Sequence, residues 1–128
     1  FVDLGKDVTL GKNCNIQAHV TISNGCVLGD DVFIAPNSSL LNDKYPKKGV
    51  GIVEGKNVQI GKDVSIWNYV VIGDRTKIGD GTLIGSFVDL GKDVTLGKNC
   101  NIQAHVTISN GCVLGDDVFI APNSSLLN

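Results

Sequence analysis

Two histidines, His19 and His105, are the only side chains in this 128-residue chain whose ordinary pKa lies near neutrality. Each stands in the same string, Ile-Gln-Ala-His-Val, and each has an asparagine further along at the same distance, Asn37 or Asn123. A histidine placed this way can take a proton as a general base or orient a nucleophile. It can equally be a turn residue, because histidine is enriched in left-handed backbone. The asparagines carry the same choice: they orient the imidazole or a bound hydroxyl, or they are plain corners. Trp67 offers a ring to a neighbouring subunit or a sugar, or simply packs on the surface. Lys44, Tyr45, Lys47 and Lys48 cluster around Pro46 and can meet phosphate groups, with a solvated linker as the alternative. The four cysteines, Cys14, Cys26, Cys100 and Cys112, are expected to be small buried side chains. Their spacing of twelve is wrong for a zinc pair and no histidine completes one, so no metal is expected.

What must position these groups is a repeat of period six. From Leu4 the chain reads LGKDVT, LGKNCN, IQAHVT, ISNGCV, LGDDVF, IAPNSS, and the same phase resumes at Glu54 and runs to Ser125. Of these eighteen blocks, seventeen open with Leu or Ile, Glu54 being the exception. A period of six fits neither a helix nor simple alternation; it marks a solenoid whose units stack on their neighbours. The first position should point inward. The second is most often Gly, as at Gly5, Gly11, Gly61 and Gly91. The fourth reads Asp7, Asn13, His19, Gly25, Asp31, Asn37 and later Asn57, Asp63, Gly81, Asp93 and Asn99, residues that accept left-handed backbone at least cost. Each block is therefore one short strand ending in a tight corner, and three blocks close one triangular coil. On that count each asparagine stacks one coil beyond its histidine. Eighteen blocks give about six coils, a prism roughly 30 Å long at ~4.8 Å per coil. The expected organisation is one domain: coils over 1–41, a protruding loop or linker over 42–53 where Pro46 and three lysines break the phase, and coils over 54–128.

The stretch 1–42 recurs without a single change as 87–128. The offset between the copies is two positions more than fourteen blocks, so the excess must be absorbed outside the regular repeat. Natural duplications drift, which points to a very recent or an engineered duplication. His19 precedes the loop but lacks the coils that precede its twin; His105 has those coils without the loop. Ends without caps expose strand edges, so end-to-end stacking or a truncated parent is expected. The net charge is -2, with 11 basic and 13 acidic residues spread along the chain. No basic run suggests nucleic acid and no apolar run suggests a membrane span, which leaves a cytoplasmic protein as the expectation.

The hexapeptide pattern resembles that of the left-handed β-helix acyltransferases, which implies an all-β, left-handed parallel β-helix. A narrower resemblance rests on Ile66-Trp67-Asn68-Tyr69, on Ile102-Gln103-Ala104-His105-Val106, and on Asp116-Asp117-Val118-Phe119-Ile120-Ala121-Pro122-Asn123. In the first copy the matching run leads into Leu41-Asn42-Asp43-Lys44-Tyr45-Pro46-Lys47. Order and spacing are similar to those of the bacterial nucleotide-sugar N-acetyltransferases, which often carry two asparagines where this chain has Ala104-His105. The resemblance implies a homotrimer, acetyl-CoA as donor in a groove between prisms, and an amino sugar nucleotide as acceptor. It places His19 and His105 at the catalytic stretch, Asn37, Asn123, Tyr45 and Trp67 near the acceptor, and Lys44, Lys47 and Lys48 near CoA phosphates. The competing expectation is an engineered solenoid scaffold without activity. A zinc hydratase of the same fold would need three histidines, and the two here are separated by nearly five coils' worth of sequence. Thr9, Thr21 and Thr95 are too sparse for an ice-binding ladder.

Overall fold

The computed structural model describes residues 1–42 and 57–128. Among them are nineteen two-residue strands and no helix. The strands form three parallel sheets of seven, six and six, the faces of a triangular solenoid of about six coils. The first face opens with Asp3–Leu4, the second with Thr9–Leu10 and the third with Asn15–Ile16. Every strand consists of the sixth residue of one block and the first of the next. The sixth points to solvent and the first into the prism.

Neighbouring strands are one coil of three blocks apart, as in Asp3↔Thr21, Thr21↔Ser39 and Val71↔Asp89. The exception is the step across the segment outside the described residues. There Ser39 pairs with Val71, a step of one coil, two further blocks and two positions. This accounts for the excess of two seen in the sequence. The offset between the copies is four coils plus that same insertion, so 1–42 and 87–128 occupy the same faces in the same phase. His19 and His105 are consequently four coils apart rather than nearly five, about 19 Å along the axis at ~4.8 Å per coil. The ladder also runs further than the eighteen blocks: Ser39–Leu40 and Ser125–Leu126 are strands in phase.

The core is one continuous column. On the first face Ile22, Leu40, Ile72, Leu90 and Ile108 stack coil upon coil, each 1% exposed or less. The fifth position also points inward, with Val20, Val70, Val88 and Val106 buried beside them. Three buried hydroxyls share that position, and each bridges coils. Thr76 Oγ1 donates to the Gly91 carbonyl at 2.9 Å and accepts from the Val94 amide at 3.2 Å. Thr82 does the same with Gly97 and Cys100, and Ser38 with Trp67 and Val70. A buried hydroxyl so partnered costs little.

Glycine at the second position answers to close approach rather than to dihedral freedom. A β-carbon on Gly79 would lie 2.5 Å from the backbone of Gly97 in the next coil. The third position has its own role. Asn24, Asp30, Asp80, Asn110 and Asp116 each accept the backbone N–H of the lysine one coil earlier, at 2.7–3.0 Å. These bonds satisfy corner amides that the sheets leave unpaired.

All four cysteines are free thiols, Cys26 and Cys100 buried and the other two half-buried. Burial pushes the Cys26 thiol up from 9.0 to about 11, against hydrogen bonds from the backbone at Val58 and Ser23 that act the other way. The unfolded thiol ionises above pH 9 while the folded one stays protonated. The stabilisation is therefore complete below pH 9 and is lost as pH rises from 9 to 11, a loss of up to about 3 kcal/mol. Urea midpoints across that range should fall for the native chain and fall less for Cys26→Val.

Candidate functional site

The corner between the third and first faces carries the histidines. Its fourth-position residues, in order along the axis, are Phe1, His19, Asn37, Tyr69, Phe87, His105 and Asn123. Backbone bonds tie successive rungs: the His105 amide donates to the Ser86 carbonyl at 3.0 Å, and the Asn123 amide to the Ala104 carbonyl at 3.0 Å. From His19 onward every one of these residues has φ between 56° and 68°. Near-identical dihedrals on rungs about 5 Å apart send the side chains out in parallel.

Aromatic rings placed this way stack. Tyr69 and Phe87 lie 5.1 Å apart between centroids, 8° from parallel. Phe87 and His105 lie 4.9 Å apart, 2° from parallel. Phe87 and His105 are exposed, and Tyr69 is 53% exposed. Among the described residues neither His19 nor His105 is ion-paired or hydrogen-bonded through its ring. The chain thus supplies no carboxylate to orient either imidazole from within the described prism.

The fourth-position rule of Asn, Asp, Gly and His missed three corners: Tyr69, Arg75 and Phe87, at φ of 56°, 59° and 60°. Left-handed backbone costs a residue with a β-carbon roughly 1–2 kcal/mol. Arg75 is compensated by Asp93, whose oxygens accept its Nε at 2.8 Å and Nη2 at 3.1 Å, and by Asp74. Tyr69 and Phe87 are compensated by their stack, worth about 0.5–1.5 kcal/mol per pair beyond burial. The signal that finds them is block phase alone, irrespective of residue type.

Asn37 and Asn123 each sit one rung beyond their histidine, which puts Asn123 beside His105 on the side away from Phe87. Trp67 lies at the same corner, two positions before Tyr69 and 43% exposed. Its ring meets the edge of Phe33 at 5.5 Å and 61°. Ser38 holds the turn between them, donating to the Trp67 carbonyl at 2.6 Å and accepting from the Val70 amide at 3.0 Å. The corner therefore stacks all of these residues along one edge: Trp67, on the Tyr69 rung, adjoins Asn37 and lies two rungs from either histidine, while Phe87 and Asn123 flank His105. Tyr45, Lys44, Lys47 and Lys48 lie outside the described residues, as does the loop expected over 42–53 apart from Asn42.

A shallow depression of about 500 Å³ is on the second face, lined by Val27, Gln59, Lys77 and the strand-end glycines Gly29, Gly61 and Gly79. Its lining offers no group that exchanges a proton near neutrality, whereas the histidine corner carries two imidazoles. Among the described residues the corner lysines form no cationic patch. At the second–third corner Lys12, Lys62 and Lys98 alternate with Asp30, Asp80 and Asp116. Among the described residues no group of three His, Cys, Asp or Glu is placed to hold a metal ion. No helix there is long and apolar enough to cross a membrane.

The sequence matches the family Bacterial transferase hexapeptide (six repeats) over residues 7–42 and 75–110. No curated protein matches it significantly. Among solved structures, the chain is similar to the acetyltransferase domain of PglB from Neisseria gonorrhoeae FA1090, at 17% identity and a TM-score of 0.61, over 91% of this chain and 47% of that one. A histidine-to-alanine mutant of GDP-perosamine N-acetyltransferase from Caulobacter crescentus, in complex with CoA and GDP-perosamine, gives 15% identity and 0.63 over 92% and 47%. LpxA, a UDP-N-acetylglucosamine acyltransferase from Bacteroides fragilis 9343, gives 18% and 0.66 over 98% and 63%. At these identities the likeness is one of fold. The chain spans about half the length of the first two.

Proposed function

The chain belongs to the bacterial transferase hexapeptide family, with its left-handed parallel β-helix, and on that footing we propose that it is, or derives from, an acetyl-CoA-dependent N-acetyltransferase acting on an amino sugar nucleotide. The observation that carries this reading is the histidine corner: an exposed imidazole with an asparagine on the next rung. In the proposed reaction the acceptor nitrogen attacks the thioester carbonyl carbon. The N–C bond forms, the C–S bond breaks, and CoA leaves as its thiol. The histidine accepts the proton that the nitrogen gives up and returns it to the departing sulfur, so it ends unchanged. Asn123 or Asn37 orients the imidazole or an acceptor hydroxyl, and Trp67 packs on the sugar or on a neighbouring subunit.

The donor is proposed to lie between prisms of a homotrimer. The shallow relief of the single prism supports this, as do apolar side chains left exposed on faces with coils on both sides, Val27 at 42% and Val71 at 38%. With the described lysines interleaved with carboxylates, the CoA phosphates are assigned to Lys44, Lys47 and Lys48. Free thiols agree with a reducing, cytoplasmic setting. End-to-end association of prisms would add to the trimer, and sedimentation would show it as mass above three subunits.

The competing reading is a solenoid scaffold without turnover. It is favoured by the unchanged repeat of 1–42, which returns on the same faces in the same phase. Calorimetric titration of the folded protein with acetyl-CoA decides between them. Saturable binding at about one site per subunit interface is expected. No binding would leave the scaffold.

A further inference from the structure

We infer that Phe87 is a positioning residue for His105, and that His105 and His19 are therefore not equivalent although the stretches that carry them, 1–42 and 87–128, are identical. The catalytic half of this inference rests on the proposed acetyl transfer; the geometric half stands without it.

A histidine that moves a proton must be held in one plane, and the usual holder is a carboxylate or carbonyl on its second nitrogen. No such partner reaches either imidazole among the described residues. His105 has a different holder. The Phe87 ring lies 2° from parallel to it at 4.9 Å, and Tyr69 backs Phe87 at 5.1 Å. A stack of this kind covers one face of the imidazole and leaves its nitrogen-bearing edge open. The electron-rich face of Phe87 also favours the imidazolium formed when His105 takes a proton.

Both supporting rings sit in left-handed backbone, at φ of 60° for Phe87 and 56° for Tyr69. For bulky residues this is an outlier, and such outliers persist where the surroundings over-determine them and cluster at working sites. The equivalent rung below His19 is Phe1, whose carbonyl accepts the His19 amide. Among the described residues no ring stack joins that pair, so identical residues receive different support. Under Phe87 the support comes from the unique coil, whose Tyr69 ring packs against it.

Proton NMR of the full chain tests the geometry, with imidazole resonances assigned from His19→Asn and His105→Asn. The His105 ring protons should lie upfield of those of His19. The shift should vanish in Phe87→Asn and return in Phe87→Tyr. Asparagine already occupies this corner at Asn37 and Asn123, so Phe87→Asn keeps the backbone, which circular dichroism checks. Equal shifts in the native protein would overturn the inference. Rates with acetyl-CoA and a UDP-linked amino sugar as probes test the role. Phe87→Asn should lower kcat about tenfold or more with little change in KM, and Phe87→Tyr should restore it. His105→Asn should cost more turnover than His19→Asn. Native turnover with Phe87→Asn unimpaired would overturn the positioning role alone. A stacked but inactive native protein would overturn the transferase reading and the catalytic half with it, leaving the non-equivalence of the rings.

Discussion

Replacing both histidines by asparagine, His19→Asn with His105→Asn, is expected to lower kcat about 10²- to 10⁴-fold and leave the solenoid folded. The size follows from what is removed. General base catalysis by a positioned side chain contributes that range, equivalent to about 3–5 kcal/mol in the barrier. No other side chain at the corner exchanges a proton near neutrality, so none can substitute. The fold should survive because asparagine is already the resident at Asn37 and Asn123, with φ of 68° and 64° beside 60° and 59° for the histidines. Acetyl-CoA binding by calorimetry should persist, since the imidazole acts on the acceptor amine. The loss should therefore fall on kcat rather than on donor affinity. A double variant with native kcat would move the base away from this corner.

The fold was legible because the hexapeptide code is local. Leu or Ile at the first position and Asn, Asp or Gly at the fourth each follow from one physical demand, burial or left-handed backbone. The code became opaque where a tertiary contact overrides propensity. Tyr69, Arg75 and Phe87 are poor left-handed residues, yet the block phase puts them at corners, where a ring stack or the carboxylate of Asp93 compensates. The third-position Asn and Asp side chains were invisible for a similar reason: their partners are amides one coil away. The site was legible only as residue types. Sequence spacing put Asn37 and Asn123 one coil from the histidines, and the rungs agree. It told His19 from His105 only by what flanks each copy, and the ring stack on His105 stayed hidden because Tyr69 lies in a neighbouring coil rather than in the repeat.

The largest loss of stability is expected from Ile72→Ala, at about 2–5 kcal/mol, against ~0.5–1.5 kcal/mol for Ile72→Val. Ile72 is fully buried and lies between Leu40 and Leu90 on the first face. Strand hydrogen bonds fix the coil spacing on both sides, so the column cannot close over the gap. Part of the loss is the transfer of the missing methyl groups and part is the cavity that remains. A solenoid concentrates the damage, because each coil contacts only its neighbours and no other core can compensate. Ile72 also belongs to the unique stretch that joins the two identical copies, 1–42 and 87–128, so weakening it loosens their coupling. Urea unfolding should show a midpoint lower by about 1 M or more, at a typical slope of ~1–3 kcal/mol per M. Hydrogen exchange should quicken first at the amides of Val71 and Gly73, which donate to the Val88 and Leu90 carbonyls. A cost below about 1 kcal/mol would mean that the coils do close over the gap. The inward column would then be a compliant filling rather than the element that sets the coil spacing and, through it, the stack at the histidine corner.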